Sequence, residues 1–302
     1  MPLLRPRIII IAAALILLSW IGNYWYADRQ KIGKPILLNH YYELGGSNGE
    51  TFDIYYLEDR NPDIRVQRID MPDALSYHLR QYDRSPKQTY QHHILYHVMF
   101  QLQPSDTMDT YGEDMETTLL HVYYSDGTRE TVPFGRLFIE GNGKQTPKND
   151  DSNESIVNWY STGGSSNYSG FTQAKAEMPF KLTGTDSIQA GRLGSWLELK
   201  LLMPDGSDVR SPSEELLSGE KIRGIPLPQV DYPLDVAQDD ILQLNYQFRF
   251  PDKNKPLEAL TPMVFPVRFQ ADSGSFKTRV QYRPNFNEAD IRRLIQLRGE
   301  NG

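Results

Sequence analysis

Gln91–Phe100, QHHILYHVMF, decides the fold, because the stretch reads two ways. As a helix it would set His93 and His97 one turn apart, about 6 Å, as a plausible metal pair. As a strand it would hold them roughly 13 Å apart on one face and turn His92 to the other. The neighbouring residues favour the strand. Ile94, Tyr96, Val98, Phe100 and Leu102 alternate with His93, Leu95, His97, Met99 and Gln101, with high aromatic and β-branched content. Tyr96 and Val98 are then expected inside, and His93 and His97 on a more polar face or at a domain contact. A metal-dependent hydrolase using His92, His93 and His97 would need further ligands from other strands, such as His121 or His40. Nothing in the sequence requires them, so the expectation is no metal, no cofactor and no catalytic residue.

The same period runs through much of the chain. Ile36–Glu43, Thr51–Leu57, Ile64–Ile69, Ile241–Phe250, Val264–Gln270 and Ser275–Tyr282 read as strands. Leu242, Leu244, Tyr246, Phe248 and Phe250 share one face. Ser125-Asp126-Gly127 sits between two strand patterns in Leu119–Val132, where Asp-Gly supplies the positive φ angles of a tight hairpin. A second bend is expected at Pro204-Asp205-Gly206. Helical spacing is confined to short stretches near 73–82, where Leu75, Leu79 and Tyr82 share a face, near 212–218 and near 287–298.

The last of these has good local grammar. Asn287 is a favourable N-cap with Asp290 at N3, Phe286 and Ile291 form a hydrophobic staple, and Gly299 can end the helix. Ile291, Leu294 and Ile295 make its apolar stripe.

The N-terminus carries the strongest single signal. From Ile8 to Ala27 only Ser19 and Asn23 interrupt an apolar or aromatic run, and twenty helical residues span about 30 Å of bilayer. Ile8, Ile11, Leu15, Leu18 and Ile21 would face lipid, with Trp20, Tyr24, Trp25 and Tyr26 as anchors at the far interface. Arg5 and Arg7 also suit a secretory signal, but Trp25 before Ala27 and Trp20 before Gly22 are poor for cleavage. An uncleaved signal anchor is expected. Cations flank both ends, so the short tail before the helix and the large domain after it set the orientation, with residues 28–302 outside the cytoplasm.

The expected organisation is all-β: antiparallel β-sandwich domain(s) behind one N-terminal transmembrane helix, with a short C-terminal α-helix. Residues 1–7 form a cytoplasmic tail, 8–27 the anchor, 28–35 a juxtamembrane linker and 36–141 a first sandwich. Residues 142–170 form a polar flexible junction, 171–285 a second sandwich and 286–302 the terminal amphipathic helix. One large sandwich with long loops is the competing organisation.

Composition narrows the function. A net charge of −7 argues against nucleic acid, and the absence of cysteine excludes thiol chemistry. The acidic run Asp106–Glu116 lacks an EF-hand pattern and reads as a solvated loop; Gly141–Lys144 is not a phosphate loop. No nucleophile elbow, zincin pair or dinucleotide fingerprint occurs. Two sets of residues could contact ligands: Trp159, Tyr160 and Tyr168 by stacking on sugars, and Arg292, Arg293 and Arg298 by meeting an acidic partner. The expected role is a non-catalytic binding or assembly module at the cell envelope, held in the bilayer and acting through a membrane or envelope protein. A carbohydrate- or cell-wall-binding module is the alternative.

Overall fold

Alternation of apolar and polar side chains has its expected consequence: sheets dominate, and each buries one face or both. The computed structural model describes residues 6–45, 50–71, 77–104, 114–141, 156–164, 168–203, 222–251 and 255–299. Outside these fall the 204–206 bend, the stretch near 212–218, most of the acidic run, all of the 142–155 segment, and the turn glycines 46 and 49.

Helix α1 (Pro6–Arg29) is long and apolar enough to cross a membrane. Ile11, Leu15, Leu18, Ile21, Trp20, Tyr24, Trp25 and Tyr26 are all exposed along it; the Ile8 side chain is outside the described set. The strands of the first half are β1 (Ile36–Leu37), β2 (His40–Leu44), β3 (Thr51–Asp59), β4 (Val66–Asp70), β5 (Tyr77–Thr89), β6 (His93–Pro104), β7 (Met115–Tyr124) and β8 (Arg129–Ile139). The second half has β9 (Val157–Gly164), β10 (Ser169–Ala176), β11 (Phe180–Asp186), helix α2 (Ile188–Leu193), β12 (Leu197–Leu202) and β13 (Ile225–Pro226). It continues with β14 (Leu234–Val236), β15 (Ile241–Phe248), β16 (Met263–Ala271), β17 (Gly274–Tyr282) and helix α3 (Glu288–Gly299).

A first outer sheet, β1-β3-β6-β5, and a second, β13-β12-β15-β10-β9, pack on a common central sheet ordered β14-β11-β16-β2-β8-β7-β4, with β17 also on β16. One core, including Tyr56, Val98, Phe100, Leu102, Phe134 and Leu137, fills the space between the first outer sheet and the central one. Another, including Leu182, Leu199, Leu242, Leu244, Phe265 and Val280, does so for the second. The segments 36–141 and 171–285 therefore have a core each but share one sheet, joined where β2 runs parallel to both β8 and β16.

At that seam Gly135 stands opposite His40 with φ +107°, and a Cβ there would collide with the His40 carbonyl. His40 is itself a structural joint. Its Nδ1 lies 2.8 Å from the Leu38 carbonyl and its Nε2 accepts from the Tyr55 amide at 2.8 Å. The ring stacks between Phe134 and Tyr55. Burial outweighs its bonds to backbone and lowers its pKa to about 3, so the ring is neutral.

The deciding stretch is a strand, β6, paired with β3 and β5. Val98 is buried; Tyr96 is half-buried beneath the Arg84 guanidinium, 4.1 Å from its ring. The opposite face of the sheet carries a third cluster, in which Leu95, Leu57, Tyr55 and Leu38 meet Phe286 and Ile291. Leu294 and Ile295 pack on it as well, so α3 docks by the stripe read from its sequence. Its cap is reciprocal. Asn287 Oδ1 accepts from the Ala289 and Asp290 amides, and Asp290 Oδ2 accepts from the Asn287 amide.

Two expectations need correction. Residues 77–82, expected helical, lie in β5, where Leu79 is in register with Leu102 across the ladder; pairing with β6 overrides a helical spacing of three apolar residues. The described part of the junction expected to be flexible is also paired: Val157–Gly164 of β9 forms a ladder with Gly170–Ala176 of β10. Its glycines are packing devices. A Cβ on Gly163 would strike the Phe171 ring, and one on Gly170 the Tyr246 ring.

Candidate functional site

On β17, apolar Val280 and Tyr282 point into the core, and Lys277, Arg279, Gln281 and Arg283 follow the other phase. A cleft of about 640 Å³ lies along these residues, walled by Trp159, Thr162, Thr172, Tyr246 and Thr51. It continues into a second hollow of about 340 Å³ past Tyr168, Ser169 and Tyr282, and the two share Thr162, Tyr246, Gln281 and Arg283. The result is one groove lined by cations, threonine hydroxyls and aromatic rings.

Buried carboxylates set the cations. Arg279 pairs with Glu50 and Arg283 with Asp53 at 3.1 Å; both acids are largely buried, while the guanidiniums reach solvent. Lys277 Nζ lies 2.6 Å from Glu140, which Arg268 also approaches. Burial would raise the Glu140 carboxyl, but these two cations hold it below its ordinary value. Each positive group is thus held by a carboxylate while its side chain stays partly exposed. Within the walls Thr278 Oγ1 donates to Thr172 Oγ1 at 2.9 Å.

The groove gathers two of the three rings singled out for stacking. Trp159 and Tyr168 line it, each partly packed on the core. The Tyr160 side chain is not among those described. The C-terminal arginines are not gathered with them. Arg292 is exposed, and Arg293 Nη1 donates to the Lys255 carbonyl; the Arg298 side chain is outside the described set. Lys277, Arg279 and Arg283 were missed as a site, although the alternation in KTRVQYR placed them on one face.

The three histidines take different posts. His92 stands in the turn before β6, its ring 5.7 Å from Tyr26 of α1. His93 is only 4% exposed, with Nε2 2.9 Å from the Gln30 carbonyl. Beside it Asp59 accepts from the Ile32 and Gly33 amides, both at 3.1 Å, and so clamps the segment following α1. His97 is 30% exposed and contacts Ser85 and Asp53. Among the described residues no three His, Asp or Glu groups converge as a metal set. The sequence matches no known protein family and shows no significant similarity to a curated protein.

Proposed function

We propose that this chain is a single-pass, membrane-tethered binding protein whose groove along β17 holds an acidic, hydroxyl-rich chain, such as an anionic surface polysaccharide. The observation carrying this reading is the juxtaposition of Lys277, Arg279 and Arg283 with Trp159, Tyr246 and a row of threonines. Fixed guanidiniums bind carboxylate or phosphate with directed N–H donors, and hydroxyls and ring faces suit sugar. A neutral sugar or an apolar peptide would leave the cations unused.

The apolar length of α1 and its aromatic end support an uncleaved anchor with residues 28–302 outside the cytoplasm, where such polymers occur. Full-length protein in nanodiscs is expected to retain an acidic polysaccharide in preference to a neutral one, with affinity falling as salt rises. The Lys277→Ala/Arg279→Ala variant should weaken retention at least ~10-fold, the equivalent of ~1.4 kcal/mol. Equal retention by the variant would remove the groove from the reading. A mature chain starting after residue 22 or 27, seen by intact mass, would remove the anchor.

A further inference from the structure

We infer that Ser85, His97 and Asp53 form a nucleophilic serine site for acyl esters on the open face of the first outer sheet. The three residues come from three adjacent strands, β5, β6 and β3. Ser85 and His97 are direct cross-strand partners, and Ser85 Oγ lies 2.6 Å from His97 Nε2. The other ring nitrogen, Nδ1, faces Asp53 Oδ1 at 3.6 Å. Asp53 is held from elsewhere: Arg283 takes its second oxygen, Oδ2, at 3.1 Å, and the Tyr55 hydroxyl also bonds the carboxylate. The Tyr55 ring stacks on His97 with centroids 6.1 Å apart.

These contacts assign roles. In the tautomer that carries its proton on Nδ1, toward Asp53, Nε2 presents its lone pair to the Ser85 hydroxyl, as a general base needs. The constellation is recognised by geometry, not by sequence order or a local motif. Ser85 lies on an edge strand between two ladder irregularities, at Gln81/Arg84 and Pro86/Gln88. Such breaks commonly re-aim a side chain beside a site. His97 reaches solvent, whereas its neighbour on the same face, His93, does not.

In the step, Ser85 Oγ bonds to the ester carbonyl carbon as its proton passes to His97 Nε2 and the carbonyl π pair moves to oxygen. Collapse breaks the carbon–alkoxide bond, and His97 returns the proton to the leaving alcohol. Water then repeats the sequence on the acyl-serine, releasing the acid and restoring Ser85. Asp53 is a positioning residue, and so is Arg283 behind it.

The test uses full-length protein in detergent, a fluorophosphonate probe and p-nitrophenyl acetate. We expect stoichiometric labelling at Ser85, its loss in Ser85→Ala, and at least a ~100-fold lower hydrolysis rate in His97→Ala. Asp53→Asn should lower kcat while KM holds, with the circular dichroism spectrum unchanged. Absence of labelling in the folded wild-type protein, or labelling and hydrolysis that survive Ser85→Ala, would overturn the inference. Neither outcome bears on polysaccharide retention, which does not require Ser85.

Discussion

The outer face of the first outer sheet has a closed end and an open end, and β6 runs through both. At the closed end His93 is sealed beneath the segment following α1, beside Leu95, Phe286 and Ile291. At the open end His97 has a similar backbone setting, but its neighbours are Ser85, Asp53 and Arg283. Period-2 alternation put both histidines on the same face. What separates a structural histidine from a reactive one is the cover, supplied by α3 and the segment following α1.

The largest effect should come from removing the cover. Ile291 is fully buried, and Ile291→Asp would force a carboxylate into that cluster at a cost of about 4 kcal/mol. Urea unfolding of the full chain measures it; an unmoved midpoint would mean the closed end is not sealed by α3.

The second effect is pH-dependent and arises in the ring column Phe134–His40–Tyr55–His97, which joins the core to the open end. The unfolded chain protonates His40 near 6.5, whereas the native ring resists until about 3. Between those values the unfolded state binds more protons, so this contribution is intact above 6.5 and is lost progressively as pH falls. The slope is about 1.4 kcal/mol per pH unit, or about 2 kcal/mol between pH 6.5 and 5. A denaturation series that flattens in His40→Phe confirms the source; an unchanged slope refutes it.

Asp59→Ala should come third. It strips the acceptor from two amides and loosens the clamp by about 1–2 kcal/mol. Trypsin should then cut after Lys31 first, whereas equal protection in the variant would show that the segment following α1 is held by other contacts. Smallest of all, Ser85→Ala should change stability by less than ~0.5 kcal/mol. A larger loss in differential scanning calorimetry would make the open end structural and erase the contrast.

The sequence revealed local order well. Alternation identified β6, β15 and β17, Asp126-Gly127 marked a real hairpin, and Asn287 with Asp290 marked a real cap. It misread β5 because Leu75, Leu79 and Tyr82 happen to fall at helical spacing, and the partner that settles the matter lies across the ladder. It misread β9 and the start of β10 because glycines and serines look unable to order themselves, whereas Gly163 and Gly170 admit the rings of Phe171 and Tyr246. The groove was half legible. Trp159 and Tyr168 stood out as rings in polar sequence, but Lys277, Arg279 and Arg283 acquire meaning only when Glu50, Asp53 and Glu140 arrive beneath them. Asp53 and Ser85 carry no local mark. Their relation to His97 is a product of strand order.

The seam has a kinetic consequence. β2 follows closely on α1, yet one of its parallel partners, β16, begins at Met263. A ribosome must synthesise most of the chain before that edge of β2 can be paired, and pairing over so long a separation closes slowly. Until then Tyr41 and Tyr42 sit on an unpaired edge, open to pairing with another chain. Truncation before residue 263 would make that transient state permanent. Such a fragment should therefore misassemble and aggregate, and should not persist as an independently folded first half.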